Sequence, residues 1–164
     1  ADNPFFIISF SVTAVTGFSF EVGMSDPKTD EALPGVTDID TPTVGNGVTD
    51  IACVHMDTDQ TLTTVEMVGD GTTGAAAKSA DGALETLAYT PTVADTYITI
   101  LVGVRPNLSY CMIFDGAGQR GTFSAGNGPD SGVLIRPYAL FRTRNTTSKT
   151  INIRNMFYGW EYNG

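Results

Sequence analysis

Phe6, Ile8, Phe10 and Val12 place an apolar side chain at every second position, with Ser9, Ser11 and Thr13 between and after them. That period predicts a strand with one face on a core and the other wet. After Thr16-Gly17 the period returns in Phe18, Phe20, Val22 and Met24, so a hairpin between the two runs is expected. From Ser25 to Gly47 it vanishes among prolines and glycines, as in a long connection holding one short strand. Strand patterns resume at Thr49 to Met56 and Leu62 to Val68, around the turn Asp57-Thr58-Asp59-Gln60.

Gly69 to Ala88 is rich in Gly, Ala and Thr, and Ala75 to Lys78 has room for at most one helical turn between Gly74 and Gly82. Tyr97 to Arg105 is apolar on both faces and reads as a mid-sheet strand stopped by Pro106-Asn107. Tyr110, Met112 and Phe114 form a return strand, Asp115 to Gly118 turns, and Gln119 to Ser124 pairs back. Val133 to Arg142 and Lys149 to Tyr158 read as a closing antiparallel pair joined by Thr143 to Ser148. About nine strands at this spacing, with no heptads and no internal repeat, predict one all-β antiparallel sandwich domain over residues 1–164.

Composition agrees with this pattern. Hydrophobic residues make up 41% of the 164 residues and charged residues 16%, enough apolar material for a core and too little charge for disorder. The net charge of −9 opposes binding to nucleic acid or an anionic membrane. The charge is uneven: residues 1–100 hold fifteen acids and two bases, residues 101–164 three acids and seven bases. A basic face meeting an acidic partner, or plain mixing of charges on one surface, would both follow. Cys53 and Cys111 sit in apolar alternating runs, as buried free thiols or as one bridge, with free thiols favoured. No run approaches the roughly 20 apolar residues of a membrane span, and no leader peptide is evident.

Four stretches give the chain its resemblance to a known family: FSFEVGMSD (Phe18 to Asp26), VTDIACVHMDTDQTLTTVEMVGDG (Val48 to Gly71), LSYCMIFDGAGQRGTFS (Leu108 to Ser124) and VLIRPYALFRTRNTTSKTINIRNMFYGWEY (Val133 to Tyr162). Their order and spacing resemble the concanavalin-like, laminin-G-like jelly-roll domain of tailed-bacteriophage virion proteins. The resemblance implies an antiparallel jelly-roll sandwich with an aspartate-rich turn, a hairpin with an Asp-Gly tip and a closing pair of long strands. It departs in one respect: the family usually has a strand before the one at Phe6, whereas this sequence starts at Ala1. That edge is then cut away or supplied by a neighbour.

Glycosidases on this fold hold two carboxylates about 5–5.5 Å apart across the scissile bond, but Glu21, Glu66, Glu85 and Glu161 stand alone in the sequence. His55 is the single histidine and lacks a nucleophile or metal spacing around it, so an exposed or hydrogen-bonded strand histidine is expected. Asp57-x-Asp59 and Asp38-x-Asp40 offer oxygens that calcium favours, yet two aspartates fall short of about 6–8 ligands, and aspartate is common in turns for its own reasons. No catalytic residue, metal ligand or cofactor is assigned. Asn107-Leu108-Ser109 and Asn145-Thr146-Thr147 match a glycosylation pattern that matters only in a secretory pathway.

Aromatics gather late in the chain. Phe141 and Phe157 are expected in the core, whereas Trp160 and Tyr162 lie near an end where partners meet or sugars stack. Arg136, Arg142, Arg144 and Arg154 fall on the expected closing pair, and with Trp160 and Tyr162 they form the candidate interface. The expected function is a non-enzymatic structural virion protein on the capsid exterior, decorating or cementing coat subunits as a trimer or other oligomer. The alternative is a carbohydrate-binding or host-adhesion module.

Overall fold

The computed structural model describes residues 3–14, 16–38, 43–58, 65–70, 84–87, 96–106, 108–116, 118–125 and 128–161. Twelve strands and no helix occur among them. They are β1 (Asn3–Val12), β2 (Phe18–Ser25), β3 (Val36–Asp38), β4 (Thr43–Val44), β5 (Ile51–Asp57) and β6 (Val65–Asp70), followed by β7 (Leu84–Leu87), β8 (Ile98–Arg105), β9 (Leu108–Asp115), β10 (Gly118–Ala125), β11 (Arg136–Thr143) and β12 (Ile151–Glu161). Sheet A has the order β10-β9-β8-β1-β12, sheet B the order β11-β2-β5-β6-β7, and β3-β4 form a separate ribbon. Every pairing is antiparallel. The all-β sandwich expected from the period-2 runs is the fold of the protein.

The main core fills the space between the sheets. Phe6, Ile8, Phe10 and Val12 of β1 face Phe18, Phe20, Val22 and Met24 of β2 across it, and all eight are buried. Phe10 meets Phe20 edge-on at 5.3 Å and Phe141 at 4.8 Å between ring centroids. β1 and β2 therefore do not form the expected hairpin: β1 pairs with β8 and β12, and β2 with β11 and β5. Two strands that each carry one apolar face bury more of it by stacking face to face than by lying side by side. Gly17, at φ 61°, makes the crossing, where an added Cβ would come within 2.1 Å of Asn145.

The expected closing pair does not form either. β11 pairs with β2 at the edge of sheet B, and β12 pairs with β1 at the edge of sheet A. Their connection runs beside the β1–β2 crossing, with Arg144 N–H donating to Gly17 C=O at 2.9 Å and Thr13 N–H to Thr150 C=O at 3.2 Å. By contrast, the three local hairpins expected from sequence, β5–β6, β8–β9 and β9–β10, are all present. The helical turn considered at Ala75 to Lys78 lies outside the described residues, while β7 occupies part of the same Gly/Ala/Thr-rich stretch.

A second, smaller core covers the outer face of sheet B. The connection from β2 to β5 folds back so that Val36, Val44 and Val48 pack on Ile51, Cys53 and Val68, with Tyr138 alongside. This explains why β2 and β5 are buried along their whole length: both faces are covered. Cys53 lies in this second core and Cys111 in the main one, and no disulfide joins them.

Candidate functional site

Among the described residues, β12 is the edge strand of sheet A next to β1. Tyr158 lies opposite Phe6, and Trp160 opposite Pro4. Phe6 points into the core, yet Tyr158 is 49% and Trp160 58% exposed, because the sandwich opens at this margin. Their rings meet edge to face, with centroids 5.0 Å apart. They form one wall of a groove of about 540 Å³ whose other wall is the 129–137 segment leading into β11, with Leu134 strongly exposed on its rim.

Polar groups border this aromatic wall. Arg105 and Arg136 line the groove, as does Asp130. Arg105 is anchored by Glu161, with Nε to Oε2 at 3.2 Å and Nη2 to Oε2 at 3.1 Å. Tyr110 O–H donates to Glu161 Oε1 at 2.7 Å, and Gly103 makes room for the Tyr110 ring, since a Cβ there would sit 2.2 Å from it. Burial, then the bond to Glu161, pushes the Tyr110 phenol up to about 12. That bond, helped by Arg105, holds the Glu161 carboxyl below its ordinary value. The guanidinium is thus fixed at the groove by its carboxylate partner while part of its donor fork faces solvent.

A second pocket of about 330 Å³ lies on the outer face of sheet B, near the far end of β11. His55, Asp57, Arg142 and Arg144 line it together with Leu33 and Val36. Arg144 grips Asp57 through two bonds, Nη2 to Oδ2 at 2.6 Å and Nε to Oδ1 at 3.1 Å. His55 is neither exposed nor hydrogen-bonded, contrary to expectation: it is 6% exposed, and both ring nitrogens are buried without a hydrogen-bond partner. Burial lowers its pKa, which Glu21 and Asp57 oppose and Arg144 and Arg142 reinforce.

The arginines expected together are therefore dispersed. Arg136 and Trp160 share the aromatic groove, whereas Arg142 and Arg144 share the second pocket. Arg154 stands on β12 over the Tyr97 ring at 5.7 Å, and Tyr162 lies outside the described residues. Among the aromatics, Phe141 is in the core as expected, but Phe157 is 59% exposed and leans on Phe5. Asp59 and Asp40 of the two aspartate pairs lie outside the described residues, and Asp57 is engaged by Arg144. Among the described residues no group of three or more His, Cys, Asp or Glu is placed to hold a metal ion.

No protein-family model matches this sequence, and no curated protein matches it. Among solved structures, the fold is similar to the CBM2 module of the evolved Dit of Lactobacillus casei BL23 phage J-1. The TM-score is 0.50 at 10% sequence identity, over 95% of this chain and 60% of that one. At that identity the likeness is one of fold.

Arg105, Tyr110 and Glu161 escaped sequence reasoning because they come from three strands and meet only through the order of sheet A. The Tyr158-x-Trp160 alternation was visible in the sequence. That it would stay half-exposed was not, since the same alternation describes a strand facing a core.

Proposed function

We propose that this domain is a non-enzymatic glycan-binding module of a phage virion, and that the Tyr158–Trp160 groove receives the sugar. The observation that carries the reading is the half-exposed aromatic pair in a groove bordered by Arg105, Asp130 and Arg136. Aromatic faces supply apolar stacking area, and fixed polar groups orient hydroxyls, which is how largely preformed ligand sites combine affinity with specificity. The fold likeness to a phage carbohydrate-binding module supports the same reading.

The test is a glycan array followed by calorimetry on the best hits, with Trp160→Ala beside the parent. A Trp in a binding hot spot is worth about 2 kcal/mol or more, so roughly thirtyfold or greater loss is expected with an unchanged circular dichroism spectrum. Absence of glycan binding by the parent, or equal affinity of the variant, would overturn the proposal.

A second reading, attachment to coat subunits as an oligomeric decoration protein, draws on a different observation. β12 is an edge strand eleven residues long, with Ile153, Met156 and Phe157 exposed. Such an edge is a template for strand pairing. Occupancy on undecorated capsids, with Met156→Lys as the disrupting variant, distinguishes it from glycan binding.

A further inference from the structure

The groove beside Tyr158 and Trp160 carries cations that are already matched. Arg105 commits Nε and Nη2 to Glu161 at 3.2 and 3.1 Å, and its guanidinium carbon lies 5.0 Å from the centre of the Tyr110 ring. Arg136 Nη2 is paired with Glu31 Oε1. Asp130 adds a third carboxylate at the lining, where its amide donates to Asp50 Oδ1 at 2.7 Å. Two guanidinium groups thus stand against three carboxylates, a local balance of −1 on a chain of net charge −9. Exposed pairs of this kind add little to stability. Even so, each carboxylate stays in contact with its guanidinium and opposes its field at the groove.

An acidic sugar entering here finds, among the described residues, no cation on the lining without a carboxylate beside it. Its own anionic group must displace Glu31 or Glu161, or share an arginine with one of them, and either way like charges are brought together. It must also leave water for a lining that includes Pro4, Val133, Leu134, Tyr158 and Trp160, where an uncompensated charge is costly. A hydroxyl meets neither obstacle. It can accept from Arg105 Nη1, which takes no part in the contacts with Glu161, and donate to a carboxylate oxygen.

We infer that the Tyr158–Trp160 groove selects uncharged glycans over those bearing a uronate, a sialate or a phosphate, with the Arg105–Glu161 and Arg136–Glu31 pairs as the selecting elements. The inference rests on the reading of this groove as a sugar site and adds the class of sugar it takes.

The test is an array on which each neutral oligosaccharide stands beside a counterpart carrying a uronate, sialate or phosphate, with calorimetry on the matched pairs around each hit. The neutral member should bind about tenfold or more tightly. Its affinity should stay nearly flat from about 0.05 to 0.5 M salt, because binding forms no new ion pair. Glu31→Gln combined with Asp130→Asn, both at exposed positions, leaves two guanidinium groups against one carboxylate. At low salt that double variant should reduce the preference for the neutral member about fivefold or more. Acidic glycans that match their neutral counterparts, neutral binding that weakens steeply with salt, or an unmoved preference in the double variant would each overturn the inference. Trp160→Ala separates the two readings: if it abolishes binding while acidic glycans are preferred, the groove is a sugar site and the selectivity alone is wrong. If the parent binds no glycan, or Trp160→Ala binds like the parent, the sugar site fails and the selectivity with it.

Discussion

Tyr138 of β11 donates its hydroxyl to the carboxylate of Glu21, directly inside the small core that closes the outer face of sheet B. Glu21 also holds the Gly35 and Val36 amides, so one buried carboxylate ties the edge strand, its neighbour β2 and the covering connection together. Burial, and after it Cys53 and Glu21, push the Tyr138 phenol well above its ordinary value, so it stays a donor at any ordinary pH. Tyr138→Phe is expected to cost about 1–3 kcal/mol by leaving the carboxylate short of a donor. Glu21→Ala should cost more, because two backbone amides lose their acceptor. Urea midpoints at unchanged slope would show this order, and equal midpoints for all three proteins would refute it.

His55 links stability to pH. Burial lowers its pKa against the pull of Glu21 and Asp57. Below about 6.5 the unfolded chain takes up a proton on His55 that the folded chain refuses, so stability should fall as pH drops from about 7 to the folded pKa and level off beneath it. Carboxylates add their own slope at lower pH. The readout is therefore the urea midpoint of the parent minus that of His55→Gln, which should decrease as pH falls from about 7 to 5.

Charge reversal should separate the arginines sharply. Arg144→Glu sets a second carboxylate against Asp57, whose side chain is only 5% exposed, and breaking such a pair costs about 3–5 kcal/mol. Arg136 and Glu31 form an exposed pair, with side chains 50% and 58% accessible. Reversal of Arg136 should change stability by under about 1 kcal/mol. Thermal melts of the two variants would expose the contrast. An interface test that reverses Arg144 would confuse lost contact with lost fold, so Arg142 is the better position to vary.

Neither cysteine should react in the native protein. Both are fully buried, and burial foremost, with Glu21 adding, pushes the Cys53 thiol well up. A thiol reagent should count no cysteine before denaturation and two after it, without reductant. Rapid native labelling, or none after unfolding, would contradict the structure.

The period-2 runs at Phe6 to Val12 and Phe18 to Met24 were enough to identify strands and to say which side chains face the core, because alternation is a property of the pleat itself. The β5–β6, β8–β9 and β9–β10 hairpins were legible for a related reason: their turns lie within a few residues of the strands they join. Strand neighbours far apart in sequence were not legible. β1 pairs with β12 across nearly the whole chain, and the two strands read as a closing pair went to opposite sheets. Those choices follow from how much apolar face each arrangement buries, and the local pattern is the same for every arrangement. The sites depend on them entirely. The residue types at Tyr158, Trp160, His55 and Arg142 were readable from the chain. Only the packing of sheet edges and the folded-back connection decided that an aromatic pair would stay open to solvent and that a histidine would be buried without a hydrogen-bond partner, because exposure is set by what covers a face and not by the residues on it.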